Sequence, residues 1–261
     1  MVLEILSPYY LPNHASLSRA ILDERVTAID ETCLPTLEGV QIFPNCVDTS
    51  VMRPVAPGDI RARYGIPEGG PIVLTVARLD ADKSRYLAEL VRAFVFALSF
   101  RPKTRLVIAG DGACRQRIES MARGMAFGRA HGIGPVVNRE DLARLYSAAS
   151  VFVGMGLSAL EAAACGTLAV VINQRSLREP LYKNEWCVGV LGWDGYVGWG
   201  REMERTADLP TTLGKTLDIA TGRLRSRGHA PNPRDAIAAY AAERVLADYE
   251  AWLLSKIASS P

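Results

Sequence analysis

The chain carries almost no net charge: 30 lysines and arginines face 28 aspartates and glutamates, leaving +2 at neutral pH. A nucleic-acid partner would call for a far larger basic excess, so none is expected. Cysteine is sparse and ill-arranged for bonding. Cys33, Cys46, Cys114, Cys165 and Cys187 are odd in number, widely spaced and never in a CxxC pair. Neither a disulfide framework nor a zinc site is indicated, and a reducing cytoplasmic home is the simplest expectation. His14, His131 and His229 have no partner at ligand spacing and are expected to be structural or exposed. No GxSxG elbow, no GxxxxGK[ST] loop and no GxGxxG after an early strand occurs. Serine hydrolysis, P-loop chemistry and nicotinamide-dependent hydride transfer therefore lose their sequence signatures. The N-terminus lacks a basic region, and Glu4, Pro8 and Pro12 interrupt any apolar core, so no signal peptide is expected. No internal repeat or low-complexity tract is found.

What is present is a periodic α/β pattern in a chain of 261 residues that is 49% hydrophobic, enough for a sizeable core. Residues 1 to about 40 are poorly patterned, with a short helix expected over Leu17 to Ile29 and a strand over Gln41 to Phe43. From Pro71 the pattern is regular. Strands are expected over Ile72–Ala77, Arg105–Ala109 and, weakly, Ile133–Val137. Helices are expected over Tyr86–Phe100, Arg115–Arg123 and Glu140–Ala149. After Ile172 the signal degrades into a glycine-rich stretch holding Trp186, Trp193 and Trp199, followed by helices over Thr211–Leu224 and Pro233–Ile257. Strands alternating with helices at short intervals predict an α/β fold with a doubly wound, mostly parallel Rossmann-like sheet.

The chain is organised around Ala148 to Ile172, which contains one charge, Glu161. Its length and apolarity invite a transmembrane reading, but Glu161 near the middle and the interruptions at Gly154, Gly156 and Gly166 oppose it. The stretch reads instead as strand (Ser150–Val153), glycine turn (Gly154-Met155-Gly156), helix (Leu157–Cys165, capped by Gly166) and strand (Leu168–Ile172). Free N–H groups at that helix start, near Gly156, Leu157 and Ser158, suit a phosphate. Glu161 can accept hydrogen bonds from sugar hydroxyls, as an acid does beside the ribose in dinucleotide folds.

Ligands of an open parallel sheet sit beyond the carboxyl ends of its strands. Four loops meet that condition: Arg78 to Lys83, Gly110-Asp111-Gly112, the segment near Val136 and Val137, and Gly154 to Ser158. Arg78 offers a planar fork and Lys83 a compact charge, together able to balance a diphosphate. Asp80 and Asp82 could hold a divalent metal beside it. The preferred reading is that Asp82 caps the following helix, with no metal.

These residues carry a resemblance. Pro44-Asn45-Cys46-Val47-Asp48 is similar to the PNGVD linker of family 4 retaining glycosyltransferases. Ala77-Arg78-Leu79-Asp80 to Lys83 resembles that family's phosphate-binding loop, and Leu106 to Gly112 its next strand and turn. Glu140-Asp141-Leu142 with Leu145-Tyr146, and Leu160-Glu161-Ala162 with Ala164-Cys165-Gly166, match its later motifs. The last helix, with Tyr249 to Leu254, resembles its C-terminal helix. The resemblance implies a GT-B fold, of which residues 44–261 would be the Rossmann-like donor-binding domain and residues 1–43 the remnant of an N-terminal domain and linker. By carry-over, Arg78, Lys83, Gly156, Leu157 and Ser158 would meet the diphosphate and Glu161 the ribose. Gly110, Asp111, Gly112, Val136, Val137, Gly154 and Met155 would line the pocket. The partner would be a nucleotide-diphosphate sugar used as donor substrate, with no further cofactor. Sugar transfer would proceed with retention.

Three departures stand out. The family's paired-glutamate motif is incomplete: the position eight before Glu161 is Val153, and an alignment that shortens the loop before Gly154 loses the acid as well. Cys46 replaces a glycine. Only about 40 residues precede the linker motif, too few for a Rossmann domain of roughly 100, so the chain is expected to be either a fragment of a larger enzyme or half of a split one, with a separate chain supplying the acceptor domain in the second case. Two further possibilities stay open: a catalytically inactive module on the same fold, and peripheral contact with a membrane, no transmembrane segment being expected.

Overall fold

The computed structural model describes residues 3–5, 26–28, 41–174, 186–191, 208–224 and 232–258. Three short parallel strands, β1 (Leu3–Ile5), β2 (Val26–Ala28) and β3 (Gln41–Ile42), form a small sheet in that order. The expected strand near Gln41 is present. Val26–Ala28 is a strand where a helix was expected; the remainder of Leu17 to Ile29 lies outside the described residues.

The main sheet has six strands. They are β4 (Ile72–Val76), β5 (Arg105–Ala109), β6 (Ala130–Gly134), β7 (Val151–Gly154), β8 (Leu168–Gln174) and β9 (Trp186–Val190). Their spatial order is β6-β5-β4-β7-β8-β9, all parallel except β9, which runs antiparallel to β8. Counted from β4, that is the 3-2-1-4-5-6 order of a dinucleotide-binding sheet, which reverses direction between β4 and β7. The strands interleave with α1 (Ile60–Arg63), α2 (Ala81–Leu98), α3 (Arg115–Met125), α4 (Arg139–Ala148), α5 (Leu157–Ala164) and α6 (Leu209–Ala220). A 3-10 helix (Asp235–Tyr240) and α7 (Ala242–Ala258) close the chain.

Strand residues alternate strictly between two cores because successive side chains leave opposite faces. Ile72, Leu74, Val107, Phe152 and Val171 pack with Leu145, Tyr146 and Leu160 from α4 and α5. Val73, Leu106, Val151, Val153 and Val170 pack with Leu87, Phe94, Ile118 and Leu213 from α2, α3 and α6. The helices after β4 and β7 therefore leave on opposite faces, and a crevice opens between them. Among the described residues no helix is long and apolar enough to cross a membrane.

Four boundaries differ from expectation. The weak strand lies at Ala130–Gly134, not Ile133–Val137, leaving Val136 and Val137 in the loop before α4. Helix α2 begins at Ala81, so Asp80 rather than Asp82 occupies the capping position. Trp186 stands on a strand rather than in a glycine-rich loop; Trp193 and Trp199 lie outside the described residues. The long C-terminal helix is broken at Ala241, which is extended and bridges Val47 of the linker. Val47 N–H donates to the Tyr240 carbonyl (2.8 Å) and Ala242 N–H to that of Val47 (2.9 Å). Phe43 packs edge-on against Tyr249 and Trp252 of α7, at 4.9 and 5.7 Å between ring centroids.

His131 on β6 gives a pH prediction. Its Nε2 is buried without a hydrogen-bond partner among the described residues. Burial, then the nearby guanidinium groups of Arg105 and Arg129, hold its pKa below the ordinary imidazole value. The unfolded chain thus takes up this proton first. Stability should fall as pH drops from about 6.5 toward the lower folded value. Denaturant melts of His131→Gln should show a shallower loss over that window; an unchanged slope would reject the assignment.

Candidate functional site

The loop after β4 carries Arg78 to Lys83. Gly110 and Gly112, after β5, sit against it at φ of +143° and +151°, a region that side chains other than glycine rarely enter. A Cβ on Gly110 would stand 1.9 Å from the Ala77 carbonyl oxygen, and one on Gly112 2.6 Å from Asp80 Oδ1. Hydrogen bonds sew the two loops together: Leu79 N–H to the Asp111 carbonyl (2.8 Å) and Cys114 N–H to the Leu79 carbonyl (2.7 Å). Ala113 N–H donates to Asp80 Oδ1 (3.0 Å), so Asp80 holds the neighbouring loop rather than capping its own helix.

Arg78 is 69% exposed and forks onto Asp80 (3.3 Å) and Asp82 (3.2 Å). Lys83 reaches the other way. Its Nζ lies 3.4 Å from the Met155 sulfur and 3.6 Å from Asp82 Oδ2. A thioether is a weak acceptor, so this half-buried ammonium keeps donor capacity beside the turn between β7 and α5.

That turn is only Met155 and Gly156. Gly156 has φ +63° and ψ −144° and occupies the N-cap of α5 without a side-chain cap. The N–H groups of Leu157 and Ser158 follow it with no acceptor among the described residues. Ser158 Oγ is turned back onto the Met155 carbonyl (3.0 Å). A Cβ on Gly154 would lie 2.6 Å from the ring of Phe152, so packing beneath the turn also requires glycine there. Val153, where an acid would complete the paired motif, is fully buried under the α2 layer.

Glu161 is the fifth residue of α5, on its second turn, and 5% exposed. A buried carboxylate requires donors, and α4 supplies two. Arg139 donates to Oε1 at 2.8 Å and Tyr146 O–H to Oε2 at 3.2 Å. Arg139 and Tyr146 lie seven residues apart, on one face of α4, whose start is fixed by Asn138 accepting from Asp141 N–H at 3.0 Å. Burial first, then the Glu161 charge, pushes the Tyr146 phenol well above its usual range, so it remains a donor. Arg139 also bears on Asp48 of the linker, whose pKa is lowered chiefly by Ser50 and more weakly by this guanidinium. Sequence reasoning missed Arg139 and Tyr146. The signal was available: one acid in an otherwise apolar helix must have partners.

The structure thus places the Arg78–Lys83 loop, the Gly110–Gly112 turn and Met155 in direct contact. Glu161 is held by α4 through Arg139 and Tyr146, whereas the partners of Arg78 among the described residues are Asp80 and Asp82. Val136 packs on the core, whereas Val137 is 86% exposed in the preceding loop.

Residues 58–195, more than half of the chain, match the family model described as glycosyl transferases group 1. A D-inositol 3-phosphate glycosyltransferase of Acidothermus cellulolyticus is 31% identical over 170 residues, 59% of this chain and 38% of the relative. That of Frankia alni is 26% identical over 221 residues, 77% of this chain and 52% of the relative. The chain therefore spans about half the length, or less, of the relatives it matches. Among solved structures, sucrose-phosphate synthase from Thermosynechococcus elongatus superposes with a TM-score of 0.64 at 23% identity, over 97% of this chain and 66% of that one. Anabaena Alr3699/HepE, in complex with UDP and glucose, gives 0.60 at 18% identity, over 97% and 71%. At such identity these likenesses speak for the fold.

Proposed function

The chain belongs to the group 1 glycosyl transferases, and we propose that it is the half of such an enzyme that holds a nucleotide-diphosphate sugar. The observation carrying this reading is the reach of Lys83 across the switch point to Met155. It puts a cation with spare donors beside the unpaired N–H groups at the start of α5, where a diphosphate gains both a charge partner and a helix dipole. Arg78 lies at the mouth of the same loop and can exchange Asp80 and Asp82 for phosphate oxygens. Glu161 would receive the ribose hydroxyls: each carboxylate oxygen accepts two hydrogen bonds, and Arg139 and Tyr146 occupy one apiece. In this reading no metal is required. The acceptor half comes from another part of the protein or a separate chain, and the sugar is transferred with retention.

Titration calorimetry with UDP and with GDP tests the binding step. One of the two should bind, and Lys83→Ala should weaken it about tenfold or more, the loss of one charged hydrogen bond. No heat and no thermal shift with either nucleotide at millimolar concentration would reject the proposal.

A second reading is favoured by one feature. The turn from β7 to α5 is two residues long and Val153 is buried, so no acid stands at the position expected to meet the donor sugar. On that reading the nucleotide, or a protein partner, is bound without transfer. Nucleotide binding with no turnover of the corresponding nucleotide sugar, in the presence of the acceptor half, would select it.

A further inference from the structure

The end of the main sheet remote from the glycine turns has a different character. Arg105 opens β5 and Arg129 immediately precedes β6. The ladder pair Leu106–Ala130 sets these two arginines opposite each other on adjacent strands, on the same face of the sheet. Like charges so placed repel. Neither has a carboxylate partner among the described residues. Arg105 instead reaches the carbonyls of Gly69 (3.4 Å) and Glu68 (3.5 Å). Arg61 reaches those of Pro67 (3.1 Å) and Gly70 (2.9 Å), so two guanidinium groups converge on one turn. A Cβ on Gly70 would lie 2.0 Å from the Lys103 carbonyl, which brings the exposed Lys103 to the same place. Mutual repulsion among Arg61, Arg105 and Arg129 adds to burial in holding Arg105 below the usual arginine pKa. Glu68, exposed in that turn, is the one acid among these groups.

Beside the cations stand exposed aromatic rings. Phe96 (54% exposed) and Phe100 (64%) stack edge-on at 5.7 Å at the end of α2, which runs into β5. Phe127, 83% exposed, ends the α3 connection into β6. Its φ is +49°, a backbone conformation that a bulky residue adopts only at a cost and that asparagine or glycine would tolerate better. The strained backbone lowers the stability of the free protein, and the exposed ring gains no burial on folding to offset it. Arg101, next to Phe100, is matched to Asp218, whereas Arg105 and Arg129 are left without a carboxylate among the described residues.

We propose that this end of the sheet docks on an anionic lipid surface, the arginines and Lys103 meeting headgroups and Phe100 and Phe127 entering the acyl boundary. Charge complementarity selects the surface, and the rings supply the second attachment that basic residues alone do not give. A single-stranded RNA could stack its bases on such rings as well, but a net charge of +2 lacks the basic excess that partner calls for.

The test is co-sedimentation of the whole chain with phosphatidylcholine vesicles, with and without phosphatidylglycerol. Binding should require phosphatidylglycerol and weaken in high salt. Arg105→Gln and Arg129→Gln should each lower partitioning about fivefold, as about 1 kcal/mol per basic residue implies. Phe127→Asn relieves the backbone and should raise thermal stability while lowering vesicle binding, which separates docking from misfolding. No binding to phosphatidylglycerol vesicles would overturn the proposal. So would binding that Phe127→Asn and Arg129→Gln leave unchanged, or capture of a labelled RNA oligonucleotide in place of vesicles.

Discussion

Glu161→Ala is expected to weaken nucleotide binding by about a hundredfold. In the proposed pose the carboxylate accepts two ribose hydroxyls from inside the protein, where water cannot compensate their loss. A hydrogen bond to a charged group contributes about 1.5–3 kcal/mol, and the pair comes to about 3 kcal/mol once partial compensation is allowed. The substitution also strands Arg139 and Tyr146, which now share that carboxylate at 2.8 and 3.2 Å. The effect on the fold should therefore be read separately, by thermal melting without nucleotide. Calorimetry on Glu161→Ala, Glu161→Gln and Lys83→Ala gives the outcome. Equal affinity for wild type and Glu161→Ala, alongside a weakened Lys83→Ala, would confine the site to the diphosphate and remove the ribose role. A nucleoside without phosphates should feel Glu161 and ignore Lys83.

Gly110→Ala should lower the melting temperature by about 10 °C or more. Its Cβ has no space: it would stand 1.9 Å from the carbonyl oxygen of Ala77, a backbone atom just past the end of β4 and tied to β5 by the Ala77 N–H bond to the Ala109 carbonyl. The φ of +143° adds strain of its own. Together these reach about 3–5 kcal/mol, the severe end of single substitutions. In a chain of this size each kcal/mol moves the midpoint by about 2–4 °C. Gly124 is the control. It lies inside α3 with nothing within 4 Å of its Cβ position, and Gly124→Ala should stabilise by about 0.5–1 kcal/mol. If Gly110→Ala melts like Gly124→Ala, the two loops are not in the contact described.

Much of the main sheet was legible in the sequence because β4, β5, β7 and β8 are Val/Ile/Leu-rich runs between turn residues. Where the signal failed, tertiary context decided. Strand β6 is Ala-His-Gly-Ile-Gly, without a β-branched run, and takes its order from pairing to β5. The more apolar Ile133 to Val137 attracts a strand reading, yet Val137 ends up in solvent. The break at Ala241 has no proline or glycine to announce it; it coincides with the isolated bridge to Val47. At the site, the glycines and cations of the loops could be recognised from spacing. The clamp on Glu161 could not be seen residue by residue, because Arg139 and Tyr146 meet it only once α4 packs beside α5.

The pairing of Val47 with the residues on either side of Ala241 has a mechanical corollary. The segment ahead of the main sheet and the start of the final helix are riveted at one point, and Phe43 lies edge-on to both Tyr249 and Trp252 just outside it. A pull ahead of Phe43 is therefore shared between α7, through Phe43, and the core beneath the sheet, through Val47. Residues 43–47 and the final helix thus form one mechanical unit, so a substitution that frees Phe43 should also loosen the start of α7.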